Sequence, residues 1–99
     1  MSDTDRRPAA LDAVVRGRVQ GVYFRAFAAR HAVNLGLTGY VRNTETGDVE
    51  IHAEGERGQL LTLVERLEEG PPAARVGEVR REWSEFTGAY RGFVISYRP

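Results

Sequence analysis

The stretch VRGRVQGVYFR, residues 15–25, marks the change from a strand to a helix and fixes how the rest of the chain is interpreted. Before it, apolar and more polar residues alternate between positions 11 and 15, which is typical of a half-buried strand. After it, mostly apolar side chains recur at helical spacing in one stripe: Phe24, Phe27, Ala28, His31, Ala32 and Leu35. Gly17 and Gly21 lie between the two patterns, so the sequence predicts a glycine-containing loop that connects a strand to a helix.

The same two periodicities continue along the chain. They predict strands over residues 11–18, 37–43, 49–54, 79–83 and 93–97, and helices over residues 23–35 and 55–69. The first six elements follow the order of a ferredoxin-like βαββαβ sandwich, an α+β fold in which two helices pack on one face of an antiparallel sheet. We expect residues 1–10 to form a disordered tail and residues 11–99 to form one domain.

The composition narrows the class of protein. The chain has 99 residues, of which 41% are hydrophobic, enough for a single packed core. Fourteen basic residues balance fourteen acidic ones, so the charge gives no reason to expect nucleic acid or an anionic membrane as a partner. Cysteine is absent, which excludes disulfides, thiolate metal sites and cysteine nucleophiles. No apolar run resembles a membrane span or a signal peptide, and we therefore expect a cytoplasmic protein.

The predicted loop has the features of an anion site. Backbone N–H groups at the start of a helix lack partners, and the helix dipole adds partial positive charge there. Glycines allow such a loop to curl around an anion, and Arg25 adds a forked cation that matches phosphate oxygens. The loop lies between the first strand and the first helix, and Arg25 belongs to the first turn of that helix. From these residues alone, an ordinary strand-to-helix connection remains an equally open interpretation.

Several kinds of phosphate and metal chemistry do not fit this loop. No Lys followed by Ser or Thr closes it, as in a nucleotide-binding Walker loop, and no Cys precedes Arg25, as in cysteine phosphatases. His31 and His52 are too few and too far apart in the predicted fold to suggest a metal site. We expect His31 to pack within the helix stripe, and His52 to lie with Glu50 and Glu54 on a solvated sheet face.

Two segments carry a resemblance to a known family. VRGRVQGVYFR at residues 15–25, together with GYVRNTETGDVEIHAEG at residues 39–55, resembles the two signature motifs of the acylphosphatase family. Both motifs are complete, in order, and separated by a helix of the expected length. The similarity continues through LEEGPPAARVGEV at residues 67–79 to GFVISY at residues 92–97, so it covers about residues 11–97.

The resemblance implies a hydrolase that cleaves the mixed anhydride between a carboxylate and a phosphate. By family analogy, Arg25 and the backbone amides of a phosphate loop bind the phosphoryl group, and Asn43 orients the attacking water. The phosphate loop is then formed by Arg18, Val19, Gln20, Gly21, Val22, Tyr23, Phe24 and Arg25. Thr44 supports the turn after Asn43, and Tyr23 has no assigned role because the family varies at that position. The implied reaction needs no metal or other cofactor, and the ligands are acyl phosphate and inorganic phosphate. A monomer is the default expectation. The acyl group stays open, and without the resemblance Asn43 would be interpreted as a turn residue.

The main alternative is a non-catalytic ferredoxin-like module that binds an anion or RNA. RNA-recognition domains share this order of elements, and RGFVISY at residues 91–97 is similar to their aromatic strand signature. That signature belongs on the third strand, where VEIHAE offers no aromatic residue for stacking on a base. We therefore expect Phe93, Ile95 and Tyr97 to form the core face of the last strand, and we favour the hydrolase.

Overall fold

The computed structural model of the chain describes residues 6–97. Its elements are β1 (Pro8–Arg18), α1 (Phe24–Asn34), β2 (Thr38–Asn43), β3 (Val49–Glu56), α2 (Arg57–Glu69), β4 (Arg75–Ser84) and β5 (Phe93–Ser96). The predicted order of strands and helices is confirmed, and with it the ferredoxin-like α+β class. The two helices end where glycine was expected, since Gly36 and Gly70 have φ values of 73° and 68°.

The first strand begins earlier than the sequence predicted. Residues 8–10 were expected to belong to a disordered tail, but they extend β1 and pair with residues 54–56 of β3. Pro8 can occupy this place because the first residue of a strand does not need its N–H. Ala10 is fully buried, which a local sequence pattern cannot reveal. Residues 1–5 of the expected tail lie outside the described residues.

The sheet is mixed, whereas a wholly antiparallel sheet was expected. Its strand order is β4-β1-β3-β2-β5, and the first three neighbouring pairs are antiparallel. The last pair, β2 with β5, is parallel. The reason is the segment between β4 and β5, residues 85–92, here called the crossing segment. It leads the chain from one edge of the sheet to the other, so that β5 runs beside β2 in the same direction.

This topology gathers three strand ends at one end of the sheet. Both β1 and β2 are antiparallel to β3, so they run in the same direction, and β5 is parallel to β2. The carboxyl ends of these strands, at Arg18, Asn43 and Ser96, therefore lie at the same end. The chain leaves β1 there and enters α1 at Phe24. Segments that are distant in sequence thus meet at the start of a helix.

The core lies between the helices and one face of the sheet. Alternate strand residues and one stripe of each helix supply it, including Leu11, Val15, Phe24, Ala28, Ala32, Val41, Val49, Ile51, Leu60, Leu63 and Leu67. Burying one such large apolar side chain contributes about 1.5–3 kcal/mol. His31 is half-buried and meets the Phe27 ring edge-on at 4.6 Å between centroids, which confirms its packing role. Burial lowers the pKa of His31, and neighbouring Arg30 lowers it further.

Part of the opposite face of the sheet is covered, although the sequence predicted a solvated patch of Glu50, His52 and Glu54. Glu54 is only 1% exposed because the crossing segment passes over it. The hydroxyl of Thr87 donates to both Glu54 carboxylate oxygens, at 3.0 and 2.8 Å. The backbone N–H groups of Thr87 and Gly88 each donate to Glu54 Oε1 at 3.0 Å. These bonds satisfy the buried charge and hold the segment that carries the chain to β5.

His52 belongs to the same covered face and lies between two carboxylates. Its Nδ1 is 2.9 Å from Asp12 Oδ1, and its Nε2 is 2.8 Å from Glu54 Oε2. Tyr40 stacks on the imidazole, and the Tyr90 ring lies at 5.0 Å from it. Burial alone would lower the pKa of His52, but the hydrogen bonds to Glu54 and Asp12 outweigh it and raise the pKa. His52 is therefore a structural partner of the crossing segment.

Candidate active site

The β1–α1 connection, residues 19–23, turns the chain through two left-handed residues. Gly21 has φ 72° and Tyr23 has φ 62°, and within residues 6–97 Tyr23 is the only residue other than glycine with positive φ. A side chain in this conformation costs about 1–2 kcal/mol, so the rest of the fold must hold Tyr23 in this backbone shape. Within the described chain, the N–H groups of residues 20–23 donate no backbone hydrogen bond. They are free to face an anion.

Gly17 belongs to the sheet and not to the loop. The register between β1 and β4 shifts at residues 16–17, forming a bulge. A Cβ on Gly17, at φ 130°, would lie 2.2 Å from the carbonyl oxygen of Arg75. The first glycine of the motif therefore permits close approach of two strands, while Gly21 alone serves the loop.

A cavity of about 410 Å³ opens at the end of the sheet where the three parallel strands finish. It is lined by Val19, Gly21, Tyr23, Phe24, Arg25, Ala26, Asn43, Ile95 and Tyr97. The two residues that the resemblance assigned to catalysis, Arg25 and Asn43, thus face one space. None of these lining residues is Asp, Glu, His or Cys. The cavity therefore offers a cation, backbone amides and a side-chain amide, but no acidic or imidazole group.

Arg25 lies in the first turn of α1 and is held by the end of β5. Its Nη1 donates to the carbonyl oxygen of Ser96 at 3.3 Å. Its guanidinium carbon lies 4.7 Å from the centroid of the Tyr97 ring. The helix start and the guanidinium add positive potential to the same cavity, which favours an anion with several oxygens.

Asn43 is the last residue of β2 and is half-buried. The turn that follows it, residues 44–48, is closed by Thr44, as the resemblance implied. The N–H of Thr44 donates to the Asp48 carbonyl at 2.9 Å, and the N–H of Asp48 donates to Thr44 Oγ1 at 3.1 Å. No side chain or backbone group within residues 6–97 forms a hydrogen bond with the side-chain amide of Asn43. Its donor and acceptor are available to a ligand or a water.

The remaining residues of the predicted phosphate loop have different positions. Arg18 ends β1 opposite Arg75 of β4 and does not line the cavity. Gln20 points its side chain at the 44–48 turn and Val22 packs against the core, so neither side chain lines the cavity. The structure therefore brings together residues 19, 21 and 23–25 of the predicted loop and leaves Arg18 outside.

Sequence reasoning missed the residues that β5 contributes. Tyr97 was predicted to lie on the core face of the last strand, but its side chain is 77% exposed and covers Arg25. Ile95 lines the cavity, and Ser96 accepts the Arg25 hydrogen bond. No local signal could have found them, because their place depends on the parallel pairing of β5 with β2. Tyr97 and Arg25 come into contact only because β5 pairs with β2 at the edge of the sheet.

Residues 6–97 lack two features that other kinds of site would need. No helix in this part of the chain is long and apolar enough to cross a membrane. The same residues contain no group of three or more His, Cys, Asp or Glu side chains arranged to hold a metal ion. Fold and cavity together define a small α+β domain in which an arginine and the start of a helix lie at one cavity, an arrangement typical of anion sites.

Comparison with known proteins identifies the family. The family model Acylphosphatase matches residues 11–95. An acylphosphatase from Dehalococcoides mccartyi is 51% identical over 88 residues, which cover 88% of this chain and 97% of the relative. One from Thermus thermophilus is 47% identical over 86% of this chain and 96% of its own length. The crystal structure of an acylphosphatase from Bacillus subtilis aligns with a TM-score of 0.87 and 36% identity, over 90% of this chain and 99% of that one.

The chain belongs to the acylphosphatase family, and it is an enzyme whose activity is the hydrolysis of acyl phosphates. This confirms the class of reaction that the two sequence motifs implied. It also confirms the ferredoxin-like α+β fold on which the site was expected to be built.

Proposed function

We propose that the enzyme hydrolyses the carboxyl–phosphate anhydride by direct attack of water, with Arg25 and the loop amides holding the phosphoryl group and Asn43 directing the water. The observation that carries this proposal is the shared cavity, in which Arg25, Asn43 and the start of α1 meet without any acidic, imidazole or thiol side chain. The role assigned to each group follows from what its atoms can do.

The leaving group needs no help from an acid. A carboxylic acid has a pKa of about 4, so the carboxylate departs as a stable anion near neutral pH. The bond between phosphorus and the carboxylate oxygen breaks, and its electron pair leaves with the carboxylate. A cavity whose described lining lacks Asp, Glu and His is consistent with a reaction that requires no proton donor.

The developing charge requires fixed donors. In phosphoryl transfer the negative charge spreads over three equatorial oxygens, and catalysis consists mainly of positioning and charge stabilisation. The Arg25 guanidinium supplies two parallel N–H donors, and the free amides of the loop and the first turn of α1 supply more. In this proposal these groups provide the positive field, and no metal ion is needed.

The water is directed and not deprotonated by Asn43. An amide does not accept a proton at ordinary pH, but its oxygen can accept and its nitrogen can donate a hydrogen bond. Asn43 can therefore aim a water at phosphorus as the new oxygen–phosphorus bond forms. The water's proton passes to a phosphoryl oxygen, and the products are the carboxylate and inorganic phosphate.

The RNA-binding alternative meets an obstacle on the sheet. RNA-recognition domains stack bases on aromatic residues of an open sheet face. Here the face opposite the helices carries the crossing segment, and its Tyr40 ring stacks on His52 and contacts Tyr90. The net charge of zero adds no attraction for a polyanion. These observations support the proposal that nucleic acid is not a partner.

We also propose that the enzyme works as a monomer in the cytoplasm. Arg25 and Asn43, the two side chains to which the proposal gives roles, lie in one cavity of a single chain, so the proposed mechanism calls on no residue from a second copy. Analytical ultracentrifugation during turnover tests the monomer, since activity confined to a dimer peak would contradict it. Cell fractionation tests the location.

The direct test is phosphate release from benzoyl phosphate and from p-nitrophenyl phosphate, each in excess EDTA. We expect rapid hydrolysis of the acyl phosphate and at least a hundredfold slower hydrolysis of the phenyl ester, because the phenolate leaves less readily. Activity that disappears in EDTA and returns with a divalent cation would contradict the metal-free mechanism. Equal rates on the two substrates would contradict the leaving-group argument.

A further inference from the structure

The side chain of Gln20 turns away from the cavity and bridges to another part of the site. Its Nε2 donates to the carbonyl oxygen of Thr44 at 2.9 Å and to that of Asp48 at 2.8 Å. Both N–H bonds of one amide are therefore used, and the two acceptors lie at the first and last residues of the 44–48 turn. That turn begins directly after Asn43.

The bridge joins two halves of the site that have few other connections. The phosphate loop and the 44–48 turn lie 24 and 28 residues apart along the chain at the two Gln20 contacts. Within residues 6–97, no backbone hydrogen bond connects the 19–23 segment to this turn. The ion pair of Arg16 with Asp48 also reaches the turn, at 3.4 Å, but the Arg16 side chain is 53% exposed and the pair is weak.

We propose that Gln20 is a positioning residue that fixes Asn43, and the water it directs, relative to the phosphate held by the loop. This inference rests on the proposed function of Asn43. The loop sets where phosphorus lies, and the turn sets where the Asn43 amide lies. The Gln20 amide links the two directly, so the distance over which water attacks depends on that link. A displacement of about 1 Å in such a geometry can lower turnover a hundredfold.

The chemistry of the bridge requires glutamine. A carboxylate at this position offers no N–H and would face two carbonyl oxygens, so Gln20→Glu should repel the turn. Gln20→Asn keeps the amide but is one methylene shorter and cannot reach both carbonyls from the same backbone. Thr46→Ala is the matched control, because it removes a 3.0 Å hydroxyl contact inside the same turn and leaves the bridge intact.

The test is a double-mutant cycle with benzoyl phosphate as substrate and inorganic phosphate as inhibitor. We expect Gln20→Ala, Gln20→Asn and Gln20→Glu each to lower kcat at least tenfold, with the inhibition constant of phosphate changed less than threefold. Thr46→Ala should keep kcat within twofold. In an Asn43→Ala background, Gln20→Ala should change the residual kcat less than twofold, because the group it positions is gone. An equal loss in both backgrounds would overturn the proposal.

A second measurement, which does not depend on turnover, follows the position of the Asn43 side chain directly. In a ¹⁵N NMR spectrum, Gln20→Ala should shift or broaden the Asn43 side-chain amide signals, while the phosphate-induced shift of the Arg25 Nε signal persists. Unchanged Asn43 signals would overturn the positioning role. Full activity of Asn43→Ala would refute the proposed function of Asn43, whereas displaced Asn43 signals with unchanged kcat in Gln20→Ala would refute the inference alone.

Discussion

The Arg25 guanidinium lies over the ring of Tyr97, with 4.7 Å between the guanidinium carbon and the ring centroid. The contact joins the start of α1 to the residue after β5. A cation–π contact at an exposed site contributes about 0.5–1 kcal/mol, here to holding the guanidinium in place. We expect Tyr97→Leu to raise the inhibition constant of phosphate about two- to fivefold, as measured by competition with benzoyl phosphate. Tyr97→Phe is the control and should behave like wild type, and a wild-type constant in Tyr97→Leu would contradict the contact.

The fork of the Arg25 side chain, and not its charge alone, should determine activity. Arg25→Lys keeps one positive charge but loses the two parallel donors that match phosphate oxygens. We expect kcat/KM to fall about 10²–10³-fold, the range for losing one fixed donor to a charged transition state. Arg30→Lys, on the exposed surface of the same helix, is the matched control and should stay within twofold. Retention of most activity in Arg25→Lys would refute the two-donor interpretation.

Replacing Tyr23 by glycine should relieve the strain of its left-handed backbone and stabilise the fold. Tyr23 is 86% exposed, so its replacement removes little packing, and glycine adopts φ 62° without strain. We expect Tyr23→Gly to raise the free energy of unfolding by about 0.5–1 kcal/mol, since the flexibility of unfolded glycine offsets part of the relief. Tyr23→Val should lower it, because a branched side chain tolerates positive φ poorly. Urea unfolding measures both, and equal stability of the two variants would contradict a left-handed residue 23.

The pair of His52 and Glu54 should make the free energy of unfolding depend on pH in two ranges, an alkaline one due to His52 and an acidic one due to Glu54. The raised pKa of His52 gives a contribution that is complete below about pH 6.5 and is lost as pH rises through the folded-state pKa. Burial would raise the pKa of Glu54, but hydrogen bonds from His52 and Thr87 lower it. Its contribution is therefore present above about pH 4.3 and lost as pH falls through the folded-state pKa.

The variant His52→Gln isolates the contribution of His52, which is the part of the stability that is lost as pH rises. The lowered pKa of His31 acts in the opposite sense to that of His52, so the informative quantity is the difference between wild type and variant. Urea unfolding at pH 6 and pH 8.5 should show that the stability advantage of wild type over His52→Gln shrinks as pH rises. An advantage that stays constant would mean that His52 does not titrate as part of this pair.

The sequence predicted the parts of the fold that local patterns control. The stripe beginning at Phe24, the alternation from Val49 to Ala53 and the glycines after each helix all repeat over short distances, and the structure has the expected elements there. Pro8 and Ala10 were placed outside β1, because only their pairing with β3 orders them. The direction of β5 likewise depends on a neighbour distant in sequence.

The residues of the candidate site also fall into two groups, those that lie in short sequence motifs and those whose place depends on strands distant in sequence. Arg25 and Asn43 lie within short motifs, so the resemblance could assign them from sequence alone. Tyr97 was assigned to the core because alternation in a short terminal strand does not show which strand lies beside it. The burial of Glu54 was missed because the residues that cover it, Thr87 and Gly88, come from a segment without periodicity.

The separate roles of Arg25 in phosphate binding and of Asn43 in directing water are tested by measuring turnover and phosphate binding in Asn43→Ala. We expect kcat for benzoyl phosphate to fall at least a hundredfold, because no other side chain in the described lining carries an amide that can direct the water. Phosphate should still bind with an affinity within threefold of wild type, since Arg25 and the loop amides are unchanged. Full turnover in a folded Asn43→Ala protein, or loss of phosphate binding together with turnover, would contradict the division of roles between Arg25 and Asn43.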